Sequence, residues 1–289
     1  MGSRGWARAA AVLRAFGRLD RRLVYLAALL CASAAVLWPP PLPVRPRPDT
    51  LAAYRLAQAL RPGNAVFIWI DYGFGAQEEL DPMLRAVLLQ LMRRDAVICI
   101  ASRSIEGGQI AETVMRRAAA GHPAYLEGYG VRWIDLGYRP APDVALRAAT
   151  VNLPAAYNGV DQAGLPLARF PLTARLRALT PEFFRLAYVF DLGDGYAAMM
   201  TYVSQVTGLP MIVGAISMEA PVIQPFVATG QIAATIPGIR GAAEYETLLG
   251  APGPATALDR GSALVAVFIL LLLALGNAGA AANPERQEG

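Results

Sequence analysis

Residues 65–102 read AVFIWIDYGFGAQEELDPMLRAVLLQLMRRDAVICIAS, and this one run decides the fold. "AVFIWI" (65–70) and "AVICIA" (96–101) are apolar runs of strand length with no polar alternation. Strands of that kind are buried on both faces, the condition of a parallel sheet covered by helices. Between them Asp81 and Pro82 read as an N-cap and first helical residue, opening "PMLRAVLLQLMRR", whose apolar positions recur at helical spacing. The stretch is therefore a strand, a helix and a second strand.

Four further runs extend the pattern: "VRWIDL" (131–136), "LAYVFD" (186–191), "PMIVGA" (210–215) and "QIAATI" (231–236), with helical stretches between them. The expectation is an α/β fold, Rossmann-like or flavodoxin-like, with a mostly parallel sheet of about six strands and helices on both faces. One domain over residues 49–250 accommodates it. Asp194 reads as the cap of "GYAAMMTYVSQVTG", which Gly208 closes. Residues 150–172 show no period and read as a lid or docking loop.

The ends of the chain read differently. Residues 1–22 carry six arginines and suit an anionic membrane surface. "LVYLAALLCASAAVLW" (23–38) is uncharged and reads as a transmembrane helix, with a cleaved signal peptide ending near Ala32-Ser33-Ala34 as the rival reading. "PPPLPVRPRP" (39–48) is a polyproline spacer, 251–261 a linker, 262–282 a second span and 283–289 a short tail. The arginines before the first span place both termini in the cytoplasm and the α/β domain outside, on the inner (cytoplasmic) membrane of a bacterium.

Composition removes several chemistries. All 26 basic residues are arginine and the chain has one histidine, His122, so no lysine nucleophile, Walker lysine or histidine-rich zinc site is available. His122 follows the helix that Ser104 precedes, which sets it at the wrong end for a serine relay. Cys31 and Cys99 lie in apolar segments and read as packed, unpaired thiols. The basic charge concentrates in the N-terminal arm, so a nucleic-acid partner has no support.

Ligands of such sheets bind beyond the carboxyl ends of the strands. The candidates there are Asp71, Ser104, Gly107, Asp191, Asp194, Ser217 and Glu219. The sharper expectation is a hard-cation site in which Asp71, Asp135 and Asp191 hold Mg²⁺ or Ca²⁺; the plainer one makes these residues helix caps. "SRSIEGGQIAE" (102–112) either presents the Gly107 and Gly108 amides to an anion or simply turns from strand to helix, and Glu106 favours the turn. Arg240 and Glu244 stand at ion-pair spacing.

"IDYGFGAQEELDPMLRAVLLQL" (70–91), "VRWIDLGYRP" (131–140) and "GIRGAAEYETLL" (238–249) resemble a family of uncharacterised prokaryotic membrane proteins with one span near each end and an α/β domain between. Gly73 and Phe74 depart from that family, which follows its first-strand Asp-Tyr with a second acidic residue and a proline. The resemblance implies the architecture and brings no activity. Two functions are expected: a tethered domain binding a partner envelope or membrane protein or a small ligand, without catalysis, or a divalent-metal-dependent hydrolase using the acidic strand ends.

Overall fold

In the computed structural model the described residues are 20–38 and 42–281. Residues 1–19 of the basic arm and the tail lie outside them. The chain divides into two units, one of residues 1–43 and 257–289, the other Val44–Thr256.

The second unit is the α/β domain. Six parallel strands, β1 (Ala65–Asp71), β2 (Val97–Ser102), β3 (Trp133–Tyr138), β4 (Phe184–Asp191), β5 (Met211–Ala215) and β6 (Ala234–Pro237), form one sheet in the order β3-β2-β1-β4-β5-β6. This is the order of two mononucleotide-binding halves meeting between β1 and β4, not the flavodoxin order. Each strand lies within about three residues of its expected place.

Both faces are buried, as the unalternating strands require. Val66, Ile68 and Ile70 point into one core with helices α2 (Pro48–Gln58), α3 (Gln77–Arg93), α4 (Ile105–Ala119) and α8 (Gly238–Leu248). Phe67 and Trp69 point into the other, against α5 (Pro142–Ala149), α6 (195–207) and α7 (Ala220–Ala228). Helix α6 carries one π turn, Met200–Ser204, and ends at Gly208 with φ 76°, as expected.

Three local expectations change. Helix α3 begins at Gln77, so Pro82 lies inside it; Asp81 does not cap but accepts hydrogen bonds from the Tyr72 hydroxyl (2.9 Å) and Gln77 Nε2 (3.2 Å). Asp194 stands at the N-cap of α6 without capping it. Residues 150–172 are no free lid: Leu153, Tyr157, Leu167 and Leu172 are buried in the second core, and Gln162 N–H donates to the Asp135 carbonyl of β3. That contact covers an edge strand whose polar groups would otherwise stay open.

The first unit holds α1 (Arg21–Leu37) and the outer part of α9 (Pro254–Ala281), joined where Arg260 Nε donates to the Leu42 carbonyl at 2.9 Å. Among the described residues one helix, Pro254–Ala278, is long and apolar enough to cross a membrane. Two spans were expected. A helix does form there, over Arg21–Leu37, but its apolar part, Arg22–Ala34, falls short of the roughly 20 residues a bilayer asks for.

Candidate functional site

The strand order reverses between β1 and β4, and Asp71 and Asp191 end those strands as direct neighbours in register. A cleft of about 500 Å³ opens above them, lined by Asp71, Tyr72, Arg103, Ser104, Glu106 and Asp194, among others.

Arg103 organises it. The residue directly follows β2, and its guanidinium binds Asp71 Oδ2 at 3.0 Å, Asp143 at 3.4 Å through Nε, and Asp194. Asp194 is pulled below the usual carboxylate range by that bond and charge. Asp71 moves the other way, up to about 6, first because it is buried and then because Asp191 lies beside it; Arg103 offsets part of the rise.

Asp191 does not face the cleft. It is fully buried, and its oxygens accept from Gly193 N–H (2.7 Å) and Tyr196 N–H (2.8 Å), which makes it the carboxylate that caps α6. Burial raises its pKa and those N–H groups restrain the rise. Gly195 is needed here because a Cβ would stand 2.1 Å from Asp71 Oδ2.

The turn after β2 is a connection. Ser104 Oγ accepts from Gly107 N–H at 3.0 Å, so that amide is committed to the helix cap, and a Cβ on Gly107 would stand 3.2 Å from the Ile70 carbonyl. Ser217 and Glu219 follow β5 on the same sheet edge but do not line the cleft. Ser217 N–H instead donates to Glu79 at 2.7 Å, and Ile239 N–H donates to the same oxygen at 3.2 Å.

The shared cation site for Asp71, Asp135 and Asp191 is corrected by the register. Asp135 pairs with Ile100 and Ile100 with Ile68, which sets Asp135 two strands across and three residues below Asp71, roughly 14 Å away by strand spacing and rise. Among the described residues no group of three His, Cys, Asp or Glu side chains is placed to hold a metal ion. Arg103 already supplies a cation between Asp71 and Asp194.

Sequence reasoning passed over Arg103 although it sits between the two serines it singled out; a basic residue directly after a strand, facing acidic strand ends, was the available signal. Four side chains flanking the cleft residues are apolar and exposed: Phe74, Ile105, Val144 and Leu192. The fold and cleft define a doubly wound α/β domain with an acidic, apolar-rimmed switch-point cleft. Comparison of the chain with protein-family models, with curated proteins and with solved structures finds no match.

Proposed function

We propose that this chain is a membrane-tethered binding domain whose switch-point cleft receives a basic side chain of a partner protein, without catalysis. One observation carries the reading: Asp71, Asp194 and Asp143 gather around the guanidinium of Arg103, Glu106 lines the same cleft, and the exposed apolar Phe74, Ile105, Val144 and Leu192 neighbour these residues. Excess negative charge selects a cation, and exposed apolar side chains around a polar centre are the makings of a recognition patch. The same charge opposes docking on anionic lipid. The helix Pro254–Ala278 supports the tether.

The test uses the full chain in detergent and a labelled Leu-Arg-Leu-Leu peptide, followed by fluorescence anisotropy. Binding should weaken about tenfold on replacing the peptide's arginine with citrulline, and similarly in Asp194→Asn or Phe74→Ser. Equal binding of the neutral peptide would overturn the proposal. The metal-dependent hydrolase remains the second reading, supported by Asp71 and Asp191 lying side by side. A melting shift at millimolar Mg²⁺ or Ca²⁺, lost in Asp71→Asn and Asp191→Asn, would replace the first reading with it.

A further inference from the structure

Away from the switch point, a second cavity of about 530 Å³ lies between α4 and the edge strand β3. Trp133 and Tyr129 form one wall, their rings edge-to-face with centroids 4.8 Å apart; Leu126 and Leu165 supply apolar sides. Besides Glu112 of α4, two carboxylates line it, Asp135 from β3 and Asp161 from the segment that covers the edge. Both are almost wholly buried, at 3% and 1% exposure.

Their surroundings differ in a way that points to a ligand. Asp161 is saturated: it accepts from Ala163 N–H, Leu165 N–H and the Tyr129 hydroxyl. Asp135 Oδ1 accepts from Gly137 N–H at 2.8 Å, while Oδ2 has no partner. A buried carboxylate oxygen without a donor is costly, and the few such atoms in a folded protein call for an explanation. Arg116, which also lines the cavity, is held by Glu112 at 2.9 Å and makes no ion pair with either aspartate.

We propose that this cavity is a binding site for a small organic cation, an amine whose ammonium satisfies Asp135 while its hydrocarbon part packs on Trp133 and Tyr129. The chemistry of the walls excludes the other candidates. A hydrated metal ion wants several oxygen ligands and no indole, whereas a cation carrying apolar surface gains from both the carboxylates and the aromatic faces. A phosphate or carboxylate ligand would meet two buried acids. Burial, with Glu112 and Asp161 close by, pushes Asp135 up to about 7, against the opposing pull of Gly137 N–H and Arg139, and a bound ammonium would relieve that. The site is separate from the switch-point cleft and does not depend on the function proposed for it.

Benzylamine is the probe and benzyl alcohol its neutral counterpart, titrated into the full chain in detergent by calorimetry and tryptophan fluorescence. Benzylamine should saturate and bind at least about tenfold more tightly than the alcohol. Asp135→Asn should abolish the preference. Leu165→Arg, at a half-exposed position of the wall, should block the site with its own cation, and it decides the matter alone should Asp135→Asn not fold. Asp71→Asn should change nothing. The proposal is overturned if saturation fails up to about 10 mM, if alcohol and amine bind alike, if the folded Asp135→Asn and Leu165→Arg variants bind as the parent does, or if Asp71→Asn is the variant that loses binding.

Discussion

Buried carboxylates occur in two regions of this domain, and they are treated in opposite ways. On α8, Glu244 and Glu246 are surrounded by donors. Glu244 accepts from Arg47 N–H (3.1 Å), Arg47 Nε (2.8 Å) and Arg240 Nε (3.3 Å); Glu246 accepts from the N–H groups of Gly253, Ala255 and Thr256 and from the Thr256 hydroxyl. One helical turn therefore fastens the chain where it enters the domain, just before α2, and where it leaves, at the start of α9. On the sheet, part-buried Asp71 and fully buried Asp135 have fewer donors than they can use, and both are pushed up, to about 6 and about 7. The donor-rich acids of α8 build the frame; the two donor-poor ones face the cavities, where Asp161 is the satisfied neighbour.

The frame half of this contrast predicts the largest effect. Glu246→Ala leaves four donors at the entrance to α9 without their acceptor, and loss of a buried charged hydrogen-bond network costs on the order of 3 kcal/mol. Urea denaturation of the full chain in micelles measures it. A loss below about 1 kcal/mol would mean the turn is not a fastening.

The cavity half predicts a dependence on pH with a definite sign. A carboxyl group raised on folding contributes stability that is complete below its unfolded pKa and is lost as pH rises through the folded one. For Asp135 that window runs from the usual carboxylate range near 4 up to about 7. Asp135→Asn has no charge to bury, so relative to the parent it should gain about 2 kcal/mol between pH 4 and pH 8. Asp71→Asn should show the same trend over a window closing near 6, smaller at about 1 kcal/mol because Asp71 is partly open to water and gives up its bond to Arg103. Melting curves of the three proteins across this range test both, and parallel curves would break the contrast between frame and cavity.

What the sequence shows of this molecule follows from the range of the interactions concerned. The six strands are legible because double burial writes itself into consecutive residues: Val66 to Ile70 face two cores in alternation, and every one is apolar. Gly208 is legible because a left-handed helix end is a local demand. The acidic strand ends were legible as a group, since Asp71 and Asp191 close their strands. Their division of labour was not, because Asp71 meets an arginine 32 residues away and Asp135 is set apart by a register that depends on the whole sheet. Glu244 stood next to Arg240 in the sequence and was read as a local pair, which it is, at 3.3 Å. Its stronger bonds go to Arg47, 197 residues distant. The first apolar segment is legible as a helix but not as a span: its sixteen uncharged residues are fewer than the roughly 20 that cross a bilayer, and among the described residues only Pro254–Ala278 is long and apolar enough.

The smallest predicted effect is the sharpest test of the site's anatomy, because it separates two aspartates three residues apart. Asp194 occupies the position and spacing of a cap, yet its side chain is 81% exposed and directed to Arg103, while Asp191 receives the amide protons of Gly193 and Tyr196 from beneath. If capping followed position, Asp194→Ala would cost about 1 kcal/mol, the usual price of a lost N-cap. With Asp191 as the acceptor, it removes only an exposed ion pair and should cost less than about 0.5 kcal/mol. Removing Asp194 also frees one side of Arg103, which then turns wholly to Asp71 and Asp143. The pKa of Asp71 should therefore fall from about 6 in Asp194→Ala, since a competing acceptor and a neighbouring negative charge disappear together. A stability loss near 1 kcal/mol, with the Asp71 titration unmoved, would return the cap to Asp194 and leave Arg103 without its central place.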